Sequence, residues 1–309
     1  MNRGFWAAVG AFLIWGLLPL YLHPLHQVPA LQIMSQRLLW CCVFVNLWLL
    51  ARGQAGRLRT ALAVPATRWR LMATALLVST NWLLYVWGVN NGHVVETSLG
   101  YFINPLVNVL LGVLVLHERL NRIQWTAVAL AASGVIYLSV QSGAPPWIAL
   151  ALALTFSAYG LLRKMVAVDA ITGLGAETLL IAPLGLAYLL WLEAQGTGVF
   201  GHVSRTLDLL LFLGGLITAV PLALFAYGAR LIPYSTIGLI QYIGPTLQLL
   251  LGIFLFREPF TLARAIGFAL IWAALLVYAA DGLLRARRQR RETLAATASA
   301  GAPVVGDAA

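Results

Sequence analysis

Three hydrogen-bonding residues interrupt the apolar stretch from Glu96 to Leu120 at helical spacing. Tyr101, Asn104 and Asn108 lie three and four residues apart, so a helix presents all of them on one face. Phenol and amide groups donate and accept hydrogen bonds, which is chemistry for holding a small molecule and not for breaking its bonds. An amide is costly in an apolar environment without a partner. The face therefore either joins neighbouring helices or lines a water-filled path for a substrate.

A related pattern returns in the second half of the chain, where Gln248 takes the place of Asn108 and Gln241 precedes it. Prolines accompany both copies, at Pro105 and Pro245. A proline lacks the backbone N–H group and disturbs the helix one turn upstream. If the polar faces line a path, we expect the two prolines near gates or hinges, although a tolerated kink is the commoner role of proline in such helices.

Three ionisable residues lie inside apolar stretches. Arg37 is about eight residues into the stretch 29–51, roughly 12 Å from its start. At that depth it either binds an anionic group or pairs with a buried carboxylate, and we favour a binding or gating role. Glu177 takes the place of Arg37 in the second copy of the pattern, and Glu96 begins another stretch. We expect structural ion pairing from both carboxylates, which are also the titratable candidates for coupling to protons.

The sequence lacks the motifs of the common catalytic sites. The segment His117 to Asn121 approaches the zinc motif H-E-x-x-H, but asparagine replaces the second histidine. The single lysine, Lys164, follows Arg163 and not a glycine-rich phosphate loop. We therefore expect no enzymatic activity, no cofactor and no metal site, and any pumping by this chain must draw on gradients and not on ATP bound to it.

Composition places these residues in a membrane protein. Hydrophobic residues make up 61% of the 309, and charged residues only 10%, against about 25% in a typical soluble domain. The net charge of +10 does not indicate nucleic-acid binding, because the basic residues lie between apolar stretches and near the C-terminus. Cys41 and Cys42 are adjacent within one stretch, so they provide no disulfide framework.

A bilayer core needs about 20 apolar residues per helix, and segmentation on that basis predicts ten spans. They run approximately over 4–22, 29–51, 70–89, 95–116, 123–140, 146–162, 173–192, 208–229, 234–256 and 262–281. Sixteen arginines and lysines fall in segments on the side of the N-terminus and three in the opposite loops. The positive-inside rule therefore predicts that both termini are cytoplasmic. The basic tail 285–309 is predicted to be disordered.

The repeat predicts the architecture. Matching positions such as Pro105 and Pro245 differ by 140 in residue number, and this offset drifts to 144 near the start of each half, where Trp15 matches Tyr159. Each half holds five spans, and an odd number inverts the second half relative to the first. We therefore predict an all-α integral membrane protein of ten helices in two inverted five-helix repeats, at 1–140 and 146–281. Such repeats are typical of secondary transporters, and the alternative is a duplicated bundle that transports nothing.

Several segments resemble the RarD-type branch of the EamA family in the drug/metabolite transporter superfamily. They are "FLIWGLLPLY", "NWLLYVWGVNNGHVVETSLGYFINPLVNVLLG", "AYGLLRK" and "IQYIGPTLQLLLG". The likeness covers nearly all ten spans, and "SLGYFINPLVN" is its most specific part. It implies a carrier in the bacterial inner membrane with a central cavity, and RarD-type proteins carry a chloramphenicol-related name. Gln36 departs from the pattern, since a histidine often precedes the arginine of this span in RarD-type members.

The combined expectation is a multi-pass secondary transporter, an exporter of small amphipathic metabolites or drugs that works by alternating access. The expected substrate contacts are Tyr101, Asn104, Asn108, Gln241, Gln248 and Arg37. A passive channel and a non-transporting membrane scaffold are the competing classes. The expected partners are a small-molecule substrate and the lipid bilayer, without nucleic acid, and both a monomer and a homodimer stay open. Trp15, Trp82, Tyr85 and Trp87 either line an apolar cavity or anchor the protein at the membrane interface, and anchoring is the commoner role.

Overall fold

The protein is helical throughout the part of the chain that the structure describes. The computed structural model describes residues 3–117, 120–232 and 240–300. The first half contains α1 (Arg3–Gly16), α2 (Leu18–Leu22), α3 (Ala30–Ala51), α4 (Ala55–Ala63), α5 (Pro65–Asn90), α6 (Val94–Leu116) and α7 (Arg122–Ser142). The second half contains α8 (Trp147–Lys164), α9 (Ala170–Ala194), α10 (Arg205–Leu231), α11 (Ile243–Leu250) with a π-helical turn at Leu251–Leu255, and α12 (Leu262–Ala300).

Seven of these helices are long and apolar enough to cross a membrane, namely α3, α5, α6, α7, α9, α10 and the part of α12 up to Gly282. An eighth span forms if α1 and the helical segment after it count as one bent span. The other two predicted spans correspond to shorter apolar helices, α8 and α11 with its π-helical turn. By length and composition the chain is therefore a multi-span membrane protein, with fewer continuous long helices than the ten predicted spans.

Three local differences from the predicted spans have physical causes. The predicted span 4–22 bends by 41° after Gly16, where Pro19 in the first turn of α2 supplies no N–H group to the preceding turn. The short helix α4 lies in a predicted loop, because nine residues carry too weak an apolar signal. Helical backbone extends to Ala300, well into the segment 285–309 that the sequence predicts to be disordered, and residues 301–309 lie outside the described part.

Side chains cap several helix starts, where backbone N–H groups lack helical partners. Asn121 and Gln124 form a reciprocal capping box at α7. Asp169 accepts from the N–H of Thr172 at α9. Glu258 reaches across the bundle and accepts from the first two N–H groups of α6. This last contact joins the end of the second half to the start of a helix of the first half.

Most of the strong helix contacts join the two halves. α1 packs on α10 and α11, α3 on α9 and α10, and α8 on α5 and α6, while α7 packs along α12. The contact of α6 with α8 is close because Gly100 faces the backbone of α8. A Cβ atom at Gly100 would lie 2.9 Å from the carbonyl oxygen of Ala149 and 3.1 Å from its Cα. Asn81 ties α5 to the same helix by donating to the carbonyl of Leu152 at 2.9 Å.

Two residues other than glycine adopt a left-handed backbone in the described part of the chain. They are His117, which follows α6, with φ of 53°, and Arg257, near the end of the π-helical turn, with φ of 54°. These two positions match each other at the main offset of the sequence repeat. The left-handed region is uncommon for side chains with a Cβ. Both halves therefore end their fourth predicted span with the same unusual turn.

We expect Gly100→Ala to lower the melting temperature of the purified protein in detergent. The added Cβ meets backbone that cannot rotate away, and overpacking of this kind costs about 1–3 kcal/mol. Gly160→Ala in α8 is the matched control, since a Cβ there meets nothing within 4 Å. Alanine favours a helix over glycine by about 1 kcal/mol, so the control should melt at the same or a higher temperature. Equal destabilisation by both substitutions would contradict this account of the α6–α8 contact.

Candidate functional site

Arg37 lies in the interior of the helical bundle, between the two halves. It is seven residues after the start of α3, about 10 Å along the axis, and only 4% of its surface is exposed. Its Nε and Nη2 atoms donate to the hydroxyl oxygen of Thr218 in α10, at 3.3 and 3.1 Å. The hydroxyl of Thr218 in turn donates to the carbonyl of Gly214 at 2.8 Å. The partner of the guanidinium is therefore a neutral oxygen.

One aromatic ring lies near this guanidinium, and two tyrosines are within range of its charge. Its central carbon lies 5.9 Å from the centre of the Trp82 ring. The rings of Tyr85 and Tyr101 are 5.8 Å apart, and the charge of Arg37 acts on both of their hydroxyls. The Tyr21 hydroxyl donates to the carbonyl of Leu210 next to the same cluster. We call Arg37, Thr218, Trp82, Tyr85 and Tyr101 the arginine–tyrosine cluster.

Two polar atoms of the arginine–tyrosine cluster are buried without a hydrogen-bond partner, Nη1 of Arg37 and the hydroxyl of Tyr85. Tyr85 is only 2% exposed. The cluster therefore holds unused hydrogen-bond donors among aromatic side chains, a combination of a few polar groups with apolar neighbours that is typical of small-molecule sites.

The residues of the predicted polar faces separate into two groups. Asn104 is buried and accepts a hydrogen bond from Ser157 of α8 at 2.6 Å, and Gln248 donates to the carbonyl of Trp15 at 3.0 Å. These contacts join helices. Asn108 is exposed, Gln241 is half-buried, and neither makes a hydrogen bond within the described part of the chain. The structure thus brings Tyr101 together with Arg37, while Asn104 and Gln248 serve as contacts between helices.

Glu177 is the centre of a second buried cluster. It is 2% exposed, and its carboxylate accepts from Thr74 at 2.8 Å and from Tyr159 at 3.4 Å. The Nε atom of Arg163 lies 3.5 Å from the same carboxylate. Glu96, by contrast, is only partly buried and accepts from one N–H group in the first turn of α8, that of Ile148. Both carboxylates therefore have structural partners.

The two prolines occupy different positions in their helices. Pro105 lies inside α6, whereas Pro245 lies in the first turn of α11, where a missing N–H group costs little. The Ser98 hydroxyl of α6 donates to the carbonyl of Pro245 at 3.1 Å, so this part of α11 is held against the first half.

Trp87 differs from the buried aromatic residues of the arginine–tyrosine cluster. It is 37% exposed and stacks on His93 near the end of α5, as an interfacial anchor would.

Two threonines that the sequence analysis does not single out hold the buried charges. Thr218 of α10 accepts from Arg37, and Thr74 of α5 donates to Glu177. The helices α5 and α10 begin at residues that differ by the main repeat offset of 140, whereas the two threonines differ by 144, so they lie one helical turn apart in the matched helices. The sequence repeat therefore gave no signal for either threonine.

Comparison with known proteins fits a transporter bundle. The sequence profile of the EamA-like transporter family matches residues 2–140. A protein of Vibrio cholerae serotype O1 named as an uncharacterized transporter is 44% identical over 94% of this chain and 96% of its own length. Proteins named RarD in Streptomyces exfoliatus and Escherichia coli K12 are 44% and 40% identical, each over 93% of this chain and over 91% and 97% of their own lengths.

The chain belongs to the EamA-like transporter family. It is thus a multi-span membrane protein of a bacterial transporter family, with relatives of the RarD type along nearly its whole length. One solved crystal structure matches with a TM-score of 0.58, at 20% identity, over 89% of this chain and 97% of that chain. This likeness shows a shared fold. In an EamA-like protein, a polar cluster between the two halves is the first place to look for a substrate.

We expect Arg163→Gln to lower the melting temperature in detergent strongly, because it leaves the buried carboxylate of Glu177 without its cation. Removing one partner of a buried ion pair typically costs about 3–5 kcal/mol. The double variant Arg163→Gln/Glu177→Gln should recover most of the loss. Glu193→Gln is the control, since Glu193 pairs with His202 at the surface, where such a pair contributes about 1 kcal/mol at most. Similar losses from Arg163→Gln and the control would refute the structural role of the pair.

Proposed function

We propose that the protein is a secondary transporter that exports small amphipathic metabolites or drugs by alternating access. The observation that carries this proposal is the buried arginine–tyrosine cluster between the two halves of an EamA-like transporter. A transporter needs a binding site that is reached from either side in turn, and sites of this kind lie where the halves meet. An ATP-driven pump is not supported, because the sequence lacks a phosphate-binding loop.

Ten membrane helices in two inverted repeats are part of the proposal, and the contacts between helices support them. Exchanging α1, α3, α5, α6 and α7 with α8, α9, α10, α11 and α12 maps the contact of α1 with α10 onto that of α8 with α5. The same exchange maps α3–α10 onto α9–α5 and α6–α8 onto α11–α1. The contacts α3–α9, α6–α11 and α7–α12 map onto themselves. The matching left-handed residues His117 and Arg257 agree with this exchange.

The proposed location is the bacterial inner membrane, with both termini in the cytoplasm. The excess of arginine and lysine on the side of the N-terminus supports this orientation. In it, the first turn of α3 with Gln32 and the loops that contain Glu258 and Thr197 face outward. Glu258 binds the start of α6, and the Gln32 amide donates to the carbonyl of Thr197 and accepts from the N–H of Val199. These contacts between the halves support a state that is closed on the outside.

The exposure of Asn108 supports a cavity that is open to the cytoplasm in that state. It lies 14 residues into α6, so about 21 Å from the proposed outer end, and it is exposed. An exposed amide at this depth in lipid would lack a hydrogen-bond partner, so water in a cavity is the favourable surrounding. Asn108 and Gln241 are the proposed polar contacts on the way to the arginine–tyrosine cluster. Pro105 and Pro245 are the proposed hinges of the two equivalent helices.

We expect Asn108→Leu to reduce export about tenfold or more without changing expression or melting temperature, because Asn108 has no protein partner to lose. Asn104→Leu is the contrasting variant. It removes the partner of the buried Ser157 hydroxyl, which costs about 1–3 kcal/mol, so it should lower the melting temperature. If Asn108→Leu instead destabilises the protein as much as Asn104→Leu, Asn108 joins helices and does not line a path.

The test of the function compares cells that express the wild type with cells that express Asn108→Leu. Untargeted mass spectrometry measures metabolites in cytosol and medium, with chloramphenicol added as a probe because of the name that RarD-type proteins carry. A compound that moves outward only with the wild type, at a rate that saturates with its concentration, supports the proposal. A rate that never saturates indicates a channel, and no movement together with a stable protein partner indicates a scaffold.

A further inference from the structure

The arginine–tyrosine cluster carries an uncompensated charge. Arginine is always protonated in proteins, yet its two hydrogen bonds in this cluster go to the neutral hydroxyl oxygen of Thr218. Among the described residues no carboxylate lies within 4.0 Å of the guanidinium nitrogens of Arg37. A buried charge without an opposite charge is costly. The protein therefore retains a positive charge at a position where lipid-embedded helices rarely tolerate one unless it has a functional role.

The buried charge at the equivalent position in the second half is compensated by an opposite charge. Glu177 is the counterpart of Arg37 in the repeat and is equally buried. Its threonine partner, Thr74, lies in α5, the helix that matches α10, which holds Thr218, the partner of Arg37. In addition it has an opposite charge from Arg163 at 3.5 Å. Each of the two buried charges thus contacts a threonine of the other half, but only Glu177 also has a counter-ion.

The groups around the guanidinium indicate which chemical group the missing counter-ion carries. Nη1 of Arg37 and the hydroxyl of Tyr85 are both buried donors without acceptors. A carboxylate has two oxygens and accepts from two such donors at once. The rings of Trp82 and Tyr101 offer apolar surface in the same cluster. One positive charge fits one negative charge on the ligand.

We infer that the substrate is an organic monocarboxylate with a small apolar body, which binds as the missing counter-ion of Arg37. This inference rests on the proposed transport function and adds the substrate class to it. The carboxylate accepts from Nη1 of Arg37 and from the Tyr85 hydroxyl, and the apolar body lies against Trp82 and Tyr101. A neutral amphipathic molecule leaves the charge of Arg37 unpaired and is a poorer substrate.

The first test needs no knowledge of the ligand. Thr218→Asp places a carboxylate where a neutral oxygen now accepts from Arg37, and Thr218→Asn is the neutral control of similar size. In the absence of ligand, the purified full-length Thr218→Asp protein should melt several degrees higher than Thr218→Asn, because the charge of Arg37 is then compensated. A melting temperature equal to or below that of the control overturns the inference, because the guanidinium of Arg37 would then not be missing a counter-ion.

The second test compares the compounds that cells export. Among compounds that leave cells only with the wild type, carboxylates should predominate. Arg37→Gln should reduce their export about ten- to a hundredfold, as expected for a lost hydrogen bond to a charged group. Arg264→Gln is the control, because this arginine is outside the cluster and donates to the carbonyl of Pro259. Export of mainly neutral or cationic compounds, or carboxylate export that Arg37→Gln leaves unchanged, overturns the inference.

The two tests separate this inference from the transport function. If compounds move outward but are neutral, transport stands and the monocarboxylate class fails. If nothing moves, the transport function fails, while the comparison of Thr218→Asp with Thr218→Asn still decides whether Arg37 lacks a counter-ion. Should Thr218→Asp fold poorly in the wild-type background, the double variant Arg37→Gln/Thr218→Asp should be less stable still, because its carboxylate is then buried alone. Equal stability of these two variants also overturns the inference.

Discussion

Hydrocarbon offers no hydrogen-bond partner, and the positions of the polar side chains in this chain follow from that constraint. A bundle of helices satisfies its backbone internally, but each polar side chain within the bundle must find protein or water. Asn81 and Gln248 donate to carbonyl groups of neighbouring helices, and Asn104 accepts from a serine. The same pairing that removes an unfavourable polar group also fixes how two helices are rotated against each other. Polar contacts therefore specify the packing that apolar surface alone would leave loose.

The two halves carry different chemistry at positions that match in the sequence. Both place a buried charged residue in the second predicted span and a threonine in the third, and the threonine of each half contacts the charge of the other. In one place the charge is positive and bonded only to a neutral hydroxyl, and in the other it is negative and paired with Arg163. The paired site stabilises the contact between halves. The unpaired site leaves binding capacity unused, which a purely structural bundle would gain nothing from retaining.

Local sequence patterns predicted much of this arrangement, and the failures have a common cause. Apolar stretches located α3 to within a residue of its observed bounds, and the depth of Arg37 followed from counting along that stretch. Periodicity also placed Tyr101, Asn104 and Asn108 on one face of α6. It could not say which neighbour each of them meets, because that depends on how α6 is rotated and tilted against α8. The pairing of Asn104 with Ser157 and the exposure of Asn108 depend on that geometry, and the partnership of Arg37 with Thr218 depends in the same way on how α3 packs against α10.

The difference in charge between the two equivalent positions also has an electrical consequence. A polarised membrane exerts a force on any charge inside it, and moving one elementary charge through 100 mV is worth about 2.3 kcal/mol. The pair of Glu177 and Arg163 is neutral, so it crosses the field without work. Arg37 is a single charge, so a rearrangement that exposes it first to one surface and then to the other depends on the voltage. If the protein works by the proposed alternating access, the asymmetry between these two positions makes the empty carrier responsive to membrane potential.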